Sequence, residues 1–211
     1  EKHIHIAEFS FALLKALVER ELKNSPFEEY KALAVWADIT VTTQFQYPLE
    51  KIAVIDDKIR YLSQGQKIFG CYLMAYRAYL EKDYSRALGI ADTALVCFPE
   101  VYPIATAYLH IIATISLLNL MRTQEAKLRI KKAWDIVGKD GLIIPFIEHY
   151  SLLHGMIEIY FKKSNPEVFQ KIMAAIRKFN TGWYKVHNER TGEYIADNLT
   201  TTEFTIAMLY N

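Results

Sequence analysis

An all-α fold is what this sequence predicts, and three observations predict it. Apolar residues recur three and four positions apart almost throughout, and no strand-like alternation persists beyond a few residues. All six prolines (Pro26, Pro48, Pro99, Pro103, Pro145 and Pro166) fall between these runs, where a missing N–H does not break a helix interior. Only 8 of the 211 residues are Gly, too few for the many tight turns of a β-sandwich or barrel.

Taken in order, a first helix is expected over residues 3–23. Ser25-Pro26 followed by Glu28 reads as cap, first position and first-turn acid of a second helix, over 26–45. Pro48 opens a third, over 48–63, and the runs 66–82 and 84–97 form a hairpin with almost no connection. Pro103 opens the next helix, over 103–120. The stretch 101–121 carries no formal charge and has the length of a membrane span. Thr106, His110, Thr114, Ser116 and Asn119 are nevertheless spread around it, and it has no partner span. The central buried helix of a helical array, with no membrane association, is therefore the expectation. Helices over 123–138, 144–162 and 166–180 follow, the last capped by Asn165-Pro166 with Glu167 in its first turn. Residues 181–198 read as a linker before a last helix from about 201. Short connections make sequential helices antiparallel neighbours.

Composition bounds the rest. A hydrophobic content of 52% supports a substantial core, and a net charge of +1 gives no global attraction to nucleic acid or to an anionic membrane. Cys71 and Cys97 are too few for a disulfide framework and read as small buried thiols in a reducing cytoplasm. No secretory signal pattern is present, so a cytoplasmic location is expected. The chain starts at Glu1 and stops at Asn211 inside an amphipathic run, so both ends read as cut from something longer.

No pattern points to an enzyme. There is no Gly-rich phosphate loop, GxSxG or HExxH, and His149 and His154 are five apart. No cofactor and no metal is expected. Asp56-Asp57 reads as solvated surface, and Arg122, Lys127, Arg129, Lys131 and Lys132 as a solvated outer face rather than a contact for an anion.

A repeat runs through the middle of the chain. Ala75, Ala87 and Ala94 align with Thr114, Ala126 and Ala133, each pair 39 residues apart, and hairpins starting near 27, 66, 105 and 144 keep that step. Ala75, Tyr84, Ala87, Ala94 and Pro99 follow the offsets of a tetratricopeptide repeat, which this segment resembles. Cys71, Ala78 and Ala91 depart from the family's usual aromatics, and in the next hairpin Thr123 and Gly138 replace its aromatic and its Pro. The resemblance implies a right-handed α-α superhelix over residues 1–180, with first helices lining a concave face.

Thr200 and Glu203 make a capping box, with Leu199 before it and Ile206 and Leu209 on the apolar face. These five residues resemble the opening of a LuxR-type helix-turn-helix domain, Leu-Thr-x-x-Glu-x-x-Val/Ile-x-x-Leu. Thr201 stands where the family usually has Pro, and Ala207 where it usually has Leu. In the MalT-like branch of that family a helical-repeat sensor precedes this domain. The resemblance implies a sensor portion over 1–180, a linker over 181–198 and a truncated DNA-binding domain over 199–211. DNA would be met only through residues beyond the chain.

Transferring the tetratricopeptide groove positions gives Tyr72, Tyr76, Tyr79, Tyr108 and Asn119 as candidate ligand contacts, with His149 and Tyr160 from the last hairpin. Aromatic rings with polar tips suit small amphipathic ligands. The competing reading is that these rings pack between hairpins and their hydroxyls reach water. The expected function is effector sensing in a bacterial transcription regulator. The effector would be a small molecule or a protein in the concave groove, and self-association is possible. The alternative is a peptide-binding scaffold with no transcriptional role.

Overall fold

A computed structural model describes residues 25–49, 55, 57–98 and 102–192, together with Ala16 and Arg20. The helix expected over 3–23, most of that expected over 48–63, Pro99 and the 199–211 motif lie outside the described residues. Among the described residues the fold is all-helical. Its α-helices are α1 Glu28–Gln44, α2 Gln64–Leu80, α3 Tyr84–Cys97, α4 Pro103–Asn119, α5 Thr123–Val137, α6 Ile144–Glu148, α7 Met156–Ser164 and α8 Pro166–Thr191.

Helix α4 is the centre. Every residue from Ala105 to Leu117 is buried, and its neighbours are α2, α3 and α5. Its buried hydroxyls cost little because each is satisfied within the helix: Thr114 Oγ1 donates to the His110 carbonyl and Ser116 Oγ to that of Ile112, both at 2.8 Å. That is why an uncharged stretch can be central without spanning a bilayer. No helix among the described residues is long and apolar enough to cross a membrane.

The 39-residue step has a counterpart in the backbone. Lys82 and Met121, 39 apart, both take left-handed φ, at 63° and 61°. After each, an N–H reaches back five residues, Asp83 to the Ala78 carbonyl and Arg122 to that of Leu117. Ala75, Ala87, Ala94, Thr114, Ala126 and Ala133 are all buried, so the small residues of the alignment occupy helix–helix contacts. Caps are local: Asp83 Oδ1 accepts from the Arg86 N–H at 3.0 Å, and Asn165 Oδ1 accepts from that of Val168 at 3.3 Å.

Five expectations need correction. Helix α1 starts at Glu28 after Phe27, and the Ser25 hydroxyl accepts from the Phe27 N–H instead of capping a helix at Pro26. The described part of 48–63 contains no α-helix, and its C-terminal end is a 3-10 turn, Ile59–Tyr61. The single helix over 144–162 is broken into α6, a 3-10 turn over Tyr150–Leu153, and α7. His154 and Gly155 take φ of 48° and 78°, and two successive left-handed residues cannot continue a right-handed helix. Finally, the segment expected as a linker begins as helix: α8 runs on to Thr191, where Gly192, at φ 76°, caps it. Trp183, Tyr184, Val186 and His187 are buried there at helical spacing, which holds the helix together past residue 180. Cys97 is also exposed rather than buried, while Cys71 is half-buried.

Candidate functional site

The sequence places tyrosines four apart on α2, and helical geometry puts Tyr72 and Tyr76 on one face of it. Tyr108 of α4 meets them, with ring centroids 4.8 Å from Tyr72. His149, just after α6, stands 5.3 Å from Tyr76, 5.7 Å from Tyr108 and 5.8 Å from Tyr72. Four of the seven candidate residues thus form one cluster. The expected open groove is not what they line: Tyr72 is 0% exposed, His149 1%, Tyr76 2% and Tyr108 6%. Tyr79 is also buried and accepts from Asn119 Nδ2 at 3.2 Å, a separate contact further along α2. Tyr160 lies elsewhere, edge-on to Phe161 at 4.8 Å.

The cluster is covered because α8 returns to α1. Trp183 Nε1 donates to the Gln44 carbonyl at 3.1 Å, and His187 Nδ1 bonds the Phe45 carbonyl at 2.8 Å. Trp183 and His187 stack, with centroids 4.6 Å apart. The two carbonyls sit at the C-terminal end of α1, where a helix leaves acceptors unused. The tyrosine face predicted to be open is therefore covered by a helix that the sequence offered as partly linker.

Hydrogen bonds fix the protonation of the cluster. The Pro145 carbonyl can only accept, so His149 Nδ1 donates to it at 2.9 Å. His149 Nε2 then accepts from the Tyr72 hydroxyl at 3.0 Å. Burial pushes the His149 imidazolium down to about 4, so the ring is neutral at pH 7. Tyr108 donates to Glu148 Oε2 at 2.5 Å. Burial raises the Glu148 carboxyl to about 7, and this hydrogen bond only partly opposes the rise. No described residue bonds Glu148 Oε1. Gln46 Nε2 donates to the Tyr76 hydroxyl at 3.0 Å.

Between the cluster and α8 a cavity of about 100 Å³ remains. Tyr72, Tyr76, Glu148 and His149 form one wall, and Gln44, Phe45, Phe179 and Trp183 the other. It is apolar on most sides with a few convergent polar groups, the usual make-up of a small-molecule site. Sequence reasoning missed Glu148, Phe45, Phe179 and Trp183. Glu148 carried a signal, an acid beside a candidate histidine; Trp183 carried none, since it fell in the expected linker.

A broader groove of about 720 Å³ lies on another face of α4, reached by Thr106 and His110. The Arg129 guanidinium spans it to Asp92 at 2.6 Å. Arg122 pairs with Glu125 at 2.7 Å and Lys131 with Asp135 at 2.6 Å, so three of the five basic residues already have acidic partners. That agrees with a solvated outer face, where such pairs contribute little. Among the described residues no group of three or more His, Cys, Asp or Glu could hold a metal ion. No family model, curated protein or solved structure matches the chain.

Proposed function

We propose that this chain is the sensor portion of a bacterial LuxR-type transcription regulator, not an enzyme, and that its effector occupies the cavity between the tyrosine cluster and α8. The observation that carries the reading is the position of α8. It forms one wall of the cavity through Phe179 and Trp183, and it ends at Thr191, eight residues before the Leu199–Leu209 motif. A ligand that fits only when α8 is displaced, or only when it is docked, would bias the segment that follows. Such a ligand must bind one arrangement more tightly than the other, and that difference sets the size of the response.

The 39-residue step, with its matched left-handed turns at Lys82 and Met121, supports stacked tetratricopeptide-like hairpins as the scaffold. The peptide-scaffold alternative needs an open tyrosine face, and the contacts of α8 with the end of α1 favour the sensor reading over it. The test uses the uninterrupted reading frame that contains this chain. It should continue past Asn211 with a second amphipathic helix, a tight turn and a basic recognition helix. DNA selected from a random pool by that protein then serves as probe in fluorescence anisotropy. Trp183→Ala should change its affinity about fivefold or more, in either direction. A different continuation, or an unchanged affinity, overturns the proposal.

A further inference from the structure

The cavity between the tyrosine cluster and α8 has one acidic side chain and no basic one. Glu148 is the acid in its lining, and its Oε1 has no hydrogen-bond partner among the described residues. Several of the neighbouring polar groups are already engaged. Tyr72 donates to His149, His149 donates to Pro145, and Tyr76 accepts from Gln46. Apart from the uncharged Gln44, the rest of the lining is aromatic: Phe45, Tyr72, Tyr76, Phe179 and Trp183. Ring faces attract cations through their quadrupole, most strongly where water is excluded, and a carboxylate supplies the matching charge. An anion would meet the Glu148 carboxylate and ring faces, both repulsive, with no positive charge in the lining to offset them.

We infer that the cavity takes a small organic cation, an alkylammonium head group held against the aromatic wall and neutralised by Glu148. This rests on the reading of the cavity as the effector site and names the effector's chemical class. A volume of about 100 Å³ suits a head group of a few carbon atoms, with any longer part of the ligand leaving past α8. The groups facing Glu148 are Tyr108 of α4, Tyr72 and Tyr76 of α2, and the neutral His149; α1 and α8 present no charge to the cavity. Cation binding therefore couples to one event, loss of the Glu148 proton.

Isothermal titration calorimetry on the 211-residue chain tests this, with choline and its neutral isostere 3,3-dimethylbutan-1-ol as probes. Choline should bind roughly tenfold or more tightly than the isostere. Its affinity should rise about tenfold from pH 6 to pH 8 as Glu148 ionises around pH 7. Glu148→Gln keeps an oxygen for the Tyr108 hydroxyl, so it should fold, which circular dichroism checks; it should erase both the preference and the pH dependence. Trp183→Ala should weaken choline binding without restoring binding of the alcohol. If the isostere binds as well as choline, or if Glu148→Gln leaves choline binding unchanged, the cation assignment is overturned while the cavity keeps its role as effector site. If neither probe binds at about 10 mM, the assignment is likewise overturned. The regulator reading stands or falls separately, on the DNA affinity of Trp183→Ala, which needs no ligand.

Discussion

Glu148→Gln should make this protein markedly more sensitive to acid. The Glu148 carboxyl titrates at about 7 in the folded chain and at 4.5 when unfolded. Between those values the folded state holds more of the proton, so the group's contribution to stability is complete below 4.5 and is lost as pH rises through 7. Going down from pH 7 to pH 5, it adds about 2 kcal/mol. His149 and His110 act in the opposite sense. Each titrates at about 4 when folded and 6.5 when unfolded, because burial disfavours the imidazolium, helped at His110 by Arg129 and Lys132. Over the same interval the unfolded chain takes up the histidine protons first, and each ring withdraws about 2 kcal/mol. The three groups together leave a net loss of about 2 kcal/mol; without the carboxyl the loss becomes about 4 kcal/mol. Urea denaturation followed by far-ultraviolet circular dichroism at pH 7 and pH 5, on both proteins, measures the difference. All other titrating groups are common to both, so the difference isolates Glu148. Equal losses in the two proteins would refute the reasoning, because they would mean the folded carboxyl titrates as it does in the unfolded chain.

Three further expectations concern packing. Ala87 and Ala94 are 0% and 3% exposed, so Ala87→Leu or Ala94→Leu should overfill a helix contact and lower stability by roughly 1–3 kcal/mol; an unchanged melting temperature would remove the repeat register. Tyr76 is 2% exposed, so Tyr76→Ala should cost roughly 3–5 kcal/mol in chemical denaturation, whereas a loss below about 1 kcal/mol would return it to an open groove. Trp183→Ala removes the bond to the Gln44 carbonyl and the stack on His187, and amide exchange over 180–191 should quicken about tenfold while α4 stays protected. Exchange that quickens equally in α4 would show that α8 unfolds only with the rest of the molecule.

Much of the architecture was legible in order along the chain. Apolar spacing located α2, α3, α4 and α5 to within two residues, because each buries a face whose period is that of the helix. Small residues 39 apart located helix contacts, since close approach leaves no room for larger side chains. The candidate site was half legible. Four of the seven residues chosen for their place on a helix face do meet, at Tyr72, Tyr76, Tyr108 and His149. The break at His154 and Gly155 was hidden, because the same apolar residues fit one long helix or two short ones and the decision lies in backbone conformation.

Local periodicity and composition thus settled α2 to α5, their order and the residue types that face inward, because those depend on neighbours three or four positions away. Whether the tyrosine face is an open groove or a partly enclosed cavity depended on a contact across 139 residues, between Trp183 and Gln44. So did the meaning of Glu148, whose unused oxygen becomes chemically distinctive only once α8 forms the opposite wall of the cavity. Such a contact leaves no periodic trace in a chain, since nothing near either residue in sequence announces its partner. It exists because the carbonyls ending α1 need donors, and the last helix brings them.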